Sequence, residues 1–225
     1  IQVRSLQVTY FGNVRLGDVL IKDHHQDTLI YAEGVRTSII GLSRLLDATP
    51  RLGSTIIDGL QMNMKIYQGD QKDNLSMFVD RLEKNPNREK RPFELRASDV
   101  EIINSSFSYL DHNAENPTVV AIDNLNILGS QLLIDGPQVS LNIHNLTGLE
   151  SRGLEVDFLN ARFKYLPASL ELRDFELHTP DSRVVGQLLF NTENGYGDFV
   201  NQVEITADFY QTSVSTSDLQ AFYEP

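Results

Sequence analysis

The feature that most constrains this chain is an alternation of apolar and polar residues over residues 139–177. A period of two places successive side chains on opposite faces of a β-strand, so it predicts strands with one apolar face. Breaks at Thr147-Gly148, Arg152-Gly153 and Pro167-Ala168 divide the stretch into consecutive strands. We expect this face to carry Val139, Leu141, Ile143, Leu154, Val156, Phe158, Ala161, Phe163, Tyr165, Leu170, Leu172, Phe175 and Leu177.

Two further points concern which residues belong to this apolar face. Phe158 and Ala161 share a face only if the turn at Leu159-Asn160 shifts the register, since a slip of one residue exchanges the two faces of a strand. Near the end of the chain the alternation returns, and it adds Val203, Ile205 and Phe209 to the predicted apolar face.

The first 83 residues interrupt the β pattern with two short helices. Apolar residues that follow Ser38 predict a helix over residues 38–47, with Ser38 as its N-cap. A second helix is predicted over Asn74–Glu83, capped by Asp73 or Asn74, because apolar residues recur there at i, i+3, i+4 and i+7.

Residues 84–92 contain no apolar side chain, and we expect them to form an exposed loop or linker. They separate residues 1–83, which hold the early strands and both helices, from a continuous β segment over residues 93–225. Whether these two parts form one domain or two is left open by the pattern.

A loose repeat runs through the chain, in which an apolar residue, an Asp or Asn and a further apolar strand follow one another. It predicts the stacking of one supersecondary unit, although its spacing is too irregular for a solenoid. The repeated phrases are Ile57-Asp58-Gly59-Leu60, Ala97-Ser98-Asp99-Val100, Ile122-Asp123-Asn124-Leu125, Ile143-His144-Asn145-Leu146 and Leu172-Arg173-Asp174-Phe175.

Composition excludes several classes of function. With 19 Lys and Arg against 31 Asp and Glu, the net charge of −12 argues against nucleic acid as a partner. The absence of Cys excludes thiol chemistry, disulfides and Cys-based zinc sites. No run approaches the roughly 18 apolar residues of a membrane helix. Because the chain starts at Ile1 and enters a strand at once, we expect a piece of a longer protein.

The sequence offers no convincing catalytic centre. Residues 23–27 (DHHQD) combine two histidines with two carboxylates. Adjacent histidines in a strand point to opposite faces, so we interpret the segment as a polar hairpin tip rather than a metal site. The many acidic residues fall on the polar positions of strands, and no nucleophile elbow, P-loop or dinucleotide motif is present. We therefore predict a protein without enzymatic activity or cofactor.

Six phrases occur in an order that resembles a known family. They stand at 17–31 (GDVLIKDHHQDTLIY), 35–39 (VRTSI), 60–67 (LQMNMKIY), 73–79 (DNLSMFV), 152–156 (RGLEV) and 215–223 (STSDLQAFY). Together they resemble the N-terminal periplasmic part of the TamB-like translocation and assembly module proteins, an AsmA-like family of Gram-negative bacteria. The resemblance spans nearly the whole chain. It rests on the order in which the phrases occur more than on any single phrase.

This resemblance implies an inner-membrane protein with an N-terminal helical anchor and a long β structure that crosses the periplasm. The family's β structure curls into an open groove, the β-taco, which is apolar inside and polar outside. Its C-terminal domain meets an outer-membrane barrel of the BamA type. The implied partners are phospholipids in transit to the outer membrane, or outer-membrane and autotransporter proteins during assembly.

We therefore expect a mainly β, elongated antiparallel or stacked sheet, curled into an open apolar groove, with two short helices that cap or narrow it. Two alternatives remain. Periodicity alone favours the closed core of a β-sandwich, as in an enzyme or adhesin, because a sandwich also points alternate residues inward. An open edge strand, in turn, suits a module that binds extended clients by β-augmentation.

Overall fold

The computed structural model describes residues 1–9, 12–39, 51–83, 94–114, 117, 119–136, 138–166, 168–191 and 204–218. These residues form thirteen strands in one sheet and a ten-residue helix, and a helical segment begins at Thr216. The elements are β1 (Gln2–Val8), β2 (Asn13–Lys22), β3 (Thr28–Ile39), β4 (Arg51–Asp58), β5 (Gln61–Ile66), α1 (Asn74–Glu83), β6 (Glu94–Asp111), β7 (Val120–Asp135), β8 (Gln138–Glu150), β9 (Glu155–Val156), β10 (Phe158–Leu166), β11 (Ser169–His178), β12 (Arg183–Asn191) and β13 (Glu204–Phe209).

The sheet follows the chain order almost without exception. Its strands are arranged β1-β2-β3-β4-β6-β7-β8-β10-β11-β12-β13, with β5 between β3 and β6 and β9 beside β8. All neighbours are antiparallel except that β4 and β5 run parallel to β6. Parallel neighbours need a crossover connection, and α1 lies in that connection between β5 and β6. The mainly β prediction is confirmed, but the sheet is mixed rather than wholly antiparallel.

Helix α1 occupies the residues predicted for the second helix. Its cap is Asp73, whose Oδ1 accepts a hydrogen bond from the backbone N–H of Ser76 at 2.8 Å. Asn74 is 1% exposed and attaches the helix to the sheet. Its Nδ2 donates to the backbone oxygen of Asn63, and its Oδ1 accepts from the backbone N–H of Lys65.

The prediction for residues 38–47 is wrong at its start. Ser38 belongs to β3, where it pairs with Asn13 of β2, so it is not a helix cap. Pairing of β3 on both sides overrides the local helical pattern at this point. Residues 40–47 lie outside the described residues, as does the predicted loop over 84–92. The last strand before residues 84–92, β5, nevertheless pairs directly with the first strand after them, β6.

The loose repeat marks irregularities in the sheet rather than a stacked unit. Asp58-Gly59 separates β4 from β5, and register shifts accompany Asp123-Asn124, His144-Asn145 and Arg173-Asp174. The exception is the phrase at Ala97, where β6 is regularly paired. Asn124 and Asp174 have φ of 52° and 48°, the left-handed region that Asn and Asp tolerate better than most residues. A β-bulge of this kind bends its strand.

Several of these irregularities are joined across strands by side-chain hydrogen bonds. Asn104, itself at φ 52°, donates from Nδ2 to Asp58 Oδ1 at 3.0 Å. Its backbone N–H donates to Asn126 Oδ1 at 3.1 Å, and Asn126 Nδ2 reaches Thr147 Oγ1 at 3.4 Å. The bends in β4–β8 therefore lie side by side at one level of the sheet.

Asp23 connects the β2–β3 turn to α1 and β5. This carboxylate is 3% exposed and accepts hydrogen bonds from the backbone N–H groups of His25 and Asp27, from Tyr67 Oη and from Asn74 Nδ2. Burial by itself would raise the pKa of Asp23. The hydrogen bonds from Asn74, Tyr67 and the two amides outweigh burial and hold that pKa below its usual range.

The lowered pKa predicts an acid-dependent loss of stability. The stabilisation by ionised Asp23 is present above the unfolded pKa of about 3.9 and is lost as pH falls through the lower folded pKa. We expect Asp23→Asn to lower the unfolding free energy at pH 7 and to weaken its dependence on pH below about 4. Urea unfolding at several pH values measures both effects. Asp208→Asn, at an exposed carboxylate, is the control, and an equal pH dependence in the two variants would contradict the assignment.

A second prediction concerns Gly129 in the centre of β7. A Cβ there would lie 2.9 Å from the backbone oxygen of Asn142 and 2.9 Å from Leu141 Cδ1, so a neighbour must move. We expect Gly129→Ala to destabilise the protein by about 1–3 kcal/mol, as overpacking does. Gly34→Ala is the matched control in β3, since no atom lies within 4 Å of its added Cβ. Equal urea midpoints for the two variants would refute this account of β7.

Candidate functional site: the apolar face of the sheet

The strand register brings most of the predicted residues to one side of the sheet, which we call the apolar face. Residues paired across neighbouring strands point to the same side. The pairs between β8 and β10 and between β10 and β11 are Val139 with Tyr165, Leu141 with Phe163, Ile143 with Ala161, Phe163 with Leu172, Tyr165 with Leu170, and Leu159 with Leu177. Val156 joins them through its pairing with Gly148 of β8.

The bulge in β11 keeps this face apolar. Strict alternation would send Leu172 and Phe175 to opposite sides, because three positions separate them. The extra residue at Arg173-Asp174 restores both to the apolar face, where Phe175 pairs with Gly186 of β12. The same face continues into β13 through Ile205 and Phe209, and Val203 lies outside the described residues.

Gly186 lets two aromatic rings meet across a strand. It pairs with Phe175 on one side and with Phe209 on the other, and it has no side chain to separate them. The ring centroids lie 6.1 Å apart at an interplanar angle of 82°, an edge-to-face arrangement. Phe175 is 2% exposed as a result, although it lies only two strands from the sheet edge.

The apolar face extends far beyond the predicted stretch, across the early strands. One row of directly paired residues crosses seven strands and consists of Leu6, Leu16, Val35, Ile57, Ile102, Ile127 and Leu146. A second row, which we call the buried row, comprises Val14, Thr37, Thr55, Val100, Gly129, Ile143 and Ala161. The sequence signal for both rows is the alternation within each early strand, which does not by itself show that the strands share one face.

All seven residues of the buried row are buried. Val100 and Ala161 are each 2% exposed, whereas Leu141, Phe163 and Leu172 in the adjacent row are half-buried. The hydroxyls of Thr37 and Thr55 hydrogen-bond to each other at 2.8 Å, so two polar side chains enter this row without unsatisfied groups.

Phe158 does not belong to the apolar face as predicted. Phe158 pairs with His178, one residue out of step with the Leu159–Leu177 pair, and its ring lies 5.3 Å from the His178 ring. Its side chain therefore points to the opposite face, and Leu159 takes the expected position. Leu154 lies just before β9, two residues from Val156, and its backbone oxygen accepts a hydrogen bond from Glu150 N–H at 2.9 Å, so its place on the apolar face stays a prediction.

The opposite face of these strands is polar and charged. Lys164 pairs with Ser140 and Glu171, and Arg173 forms an ion pair with Glu171 at 2.8 Å. Arg162 and Asp174 form another ion pair. Exposed pairs of this kind contribute little stability, so we interpret them as the solvated side of the sheet.

The described strands form one sheet rather than two packed sheets. Backbone pairing connects all thirteen strands into a single sheet. The residues of a filled sandwich core would be almost fully buried, yet much of the apolar face is half-buried. These observations favour an accessible apolar face over the closed-core alternative.

Comparisons with known proteins do not identify a family. No protein-family model matches the chain, and no curated protein matches it. Among the described residues, no helix combines the length and apolarity needed to cross a membrane.

The packing at Gly186 generates a stability prediction. Phe175→Ala removes a buried ring and its contact with Phe209, so we expect a loss of about 3 kcal/mol in unfolding free energy. Phe158→Ala is the control, since this half-buried ring lies on the opposite face and should cost clearly less. Urea unfolding measures both losses, and an equal cost would contradict the assignment of the two faces.

Proposed function

We propose that this chain is a non-enzymatic periplasmic segment whose apolar face shields phospholipid acyl chains in transit between the inner and outer membranes. The observation that carries the proposal is the continuity of the apolar face, which paired residues extend from β1 to β13. A single domain that only needed a core has no use for such a long accessible face.

The free energy cost of exposing lipid tails to water explains what such an apolar face would do. Exposing an acyl chain of about 15 methylenes to water costs on the order of 12 kcal/mol, at about 0.8 kcal/mol per methylene. A continuous apolar surface removes most of that barrier without any chemical step. The face consists mainly of Val, Ile, Leu and Phe, so successive positions offer a lipid similar environments.

The bends in the strands support a curled form of the sheet. Bulges bend β7, β8 and β11, and the seven residues of the buried row, which crosses the apolar face, are all buried. A crease in a curled sheet would bury such a row, with more accessible walls on either side. The proposal therefore includes an open groove of the β-taco type. Helix α1, which contacts β5, would narrow this groove near the first strands.

The resemblance to AsmA-like translocation and assembly proteins supplies the cellular setting of the proposal. An N-terminal inner-membrane anchor and a C-terminal part that meets a BamA-type outer-membrane barrel would lie beyond this chain. The segment would then act as one portion of a bridge in the periplasm that supports outer-membrane biogenesis.

A second function is favoured by the accessible edge strands. Within the described residues, β1 pairs only with β2 and β13 only with β12. On β1, Leu6 is 63% exposed and Val8 is 54% exposed. An extended outer-membrane or autotransporter protein segment would add to such an edge by β-augmentation, with the backbone supplying affinity.

Site-specific crosslinking tests the lipid proposal. We expect a photoreactive benzoylphenylalanine at Phe163 to capture phospholipid in cells that express the full-length protein, because Phe163 lies on the apolar face. The adjacent position Lys164 is the matched control, since its side chain points to the polar face. Mass spectrometry of the crosslinked adducts identifies what is captured.

Equal capture at Phe163 and Lys164, or no lipid at either, would reject the groove. Native mass spectrometry of the purified chain separates the two candidate functions. Bound phospholipid supports the lipid-shielding function. A complex with an extended outer-membrane-protein peptide, formed without lipid and lost when Leu6→Lys alters β1, supports β-augmentation.

A further inference from the structure

Two histidines and an aspartate from separate parts of the chain meet beside the β2–β3 turn. His24 and His25 lie in this turn, which joins Lys22 of β2 to Thr28 of β3, and Asp70 lies between β5 and α1. The segment is a hairpin tip as expected, but the expectation that its two rings point apart is wrong. The residues adopt a turn rather than a strand, and the ring centroids lie 4.4 Å from each other.

The ligand-type atoms of these residues lie close together. Asp70 Oδ2 is 2.7 Å from His24 Nε2 and 3.9 Å from His25 Nε2, and one such atom from each of the three residues lies within 4.8 Å of the others. Ligand atoms around a tetrahedral ion with bonds of about 2.0–2.1 Å are about 3.3 Å apart. Side-chain adjustments of about an ångström therefore suffice to place all three around one ion.

Tyr67 holds the two imidazoles in place. Its ring stacks on His25 at 4.0 Å between centroids and meets His24 edge-on at 5.4 Å. The Tyr67 hydroxyl lies 2.7 Å from Asp23 Oδ2 and 2.8 Å from Asp27 Oδ2, and these two carboxylates share its one hydrogen. Burial and these two carboxylates raise the pKa of Tyr67, so its hydroxyl stays protonated and continues to donate.

The loop that presents Asp70 is also fixed by hydrogen bonds. Asn113 Nδ2 donates to the backbone oxygen of Asp70 at 2.9 Å, and Gly69 N–H donates to Asn113 Oδ1 at 2.9 Å. Asp70 N–H closes the turn on the backbone oxygen of Tyr67. The three candidate ligands are thus held by contacts that need no ion.

The charge around the two imidazoles favours a cation. Asp23, Asp27 and Asp70 surround the imidazoles, and Lys65 pairs with Asp27 at 3.2 Å on the outer side. The His24 side chain is only 10% exposed, and its Nε2 already lies beside the Asp70 carboxylate.

We propose that His24, His25 and Asp70 form a binding site for a divalent transition-metal ion, with Zn²⁺ as the ion it fits. Two imidazoles and one carboxylate suit zinc better than magnesium or calcium, which prefer oxygen ligands. Three protein ligands leave one position of a tetrahedral ion for water. The ion joins the β2–β3 turn to the segment before α1, which makes it a structural link between elements distant in sequence.

Calorimetric titration of the untagged chain with ZnCl2 tests the site. We expect one Zn²⁺ per chain and a rise in unfolding temperature, since a ligand that binds the folded state stabilises it. His25→Ala and Asp70→Asn should each weaken binding at least tenfold. His144→Ala is the control, because His144 hydrogen-bonds Ser130 in another part of the sheet and should leave the affinity unchanged.

Three results would overturn the site: no zinc binding by the wild-type chain, undiminished binding by His25→Ala and Asp70→Asn, or equal weakening by His144→Ala. The His25 side chain is 50% exposed, so its replacement should leave the fold intact. Circular dichroism melting without metal checks this directly. If His25→Ala proves unstable, His25→Gln keeps much of the side-chain volume and replaces it in the comparison.

Discussion

The whole structure depends on keeping one strand register through an irregular sheet. Because side chains alternate, a shift of one residue would exchange the apolar and polar faces of a strand. The bulge at Arg173-Asp174 provides the extra residue that Leu172 and Phe175 need to share a face, and Phe158 shows the consequence of standing one residue out of step. The bulges therefore maintain the apolar face and also bend the strands that carry it.

Such a sheet is stabilised by rows of residues paired across adjacent strands rather than by a central core. Backbone pairing links each strand to its neighbours, and small residues let side chains from adjacent strands close over one another. Gly129 makes room for Leu141, and Gly186 lets Phe175 meet Phe209. The apolar side chains beside the buried row stay half-buried, which is the property that a lipid-shielding surface requires and a closed sandwich lacks.

The two proposed sites need different kinds of side chain, but Asp23 contributes to both. The apolar face needs uniform, uncharged side chains, whereas the histidine cluster needs nearby carboxylates and fixed imidazoles. Asp23 serves the cluster by orienting Tyr67, and it serves the sheet by binding Asn74 at the start of α1. A zinc ion at the cluster would therefore stabilise the same region in which α1 joins the early strands.

The sequence by itself determined the mainly β class, the alternation within each strand and the bounds of α1, because these features follow from patterns among near neighbours. Pairing partners distant in sequence decided the rest. They made β4 and β5 parallel to β6, drew Ser38 into β3, sent Phe158 to the polar face and turned an irregular repeat into bulges. They also brought Asp70 to His24 and His25. Local periodicity contains no information about which strands or loops meet, so only the tertiary structure could decide these points.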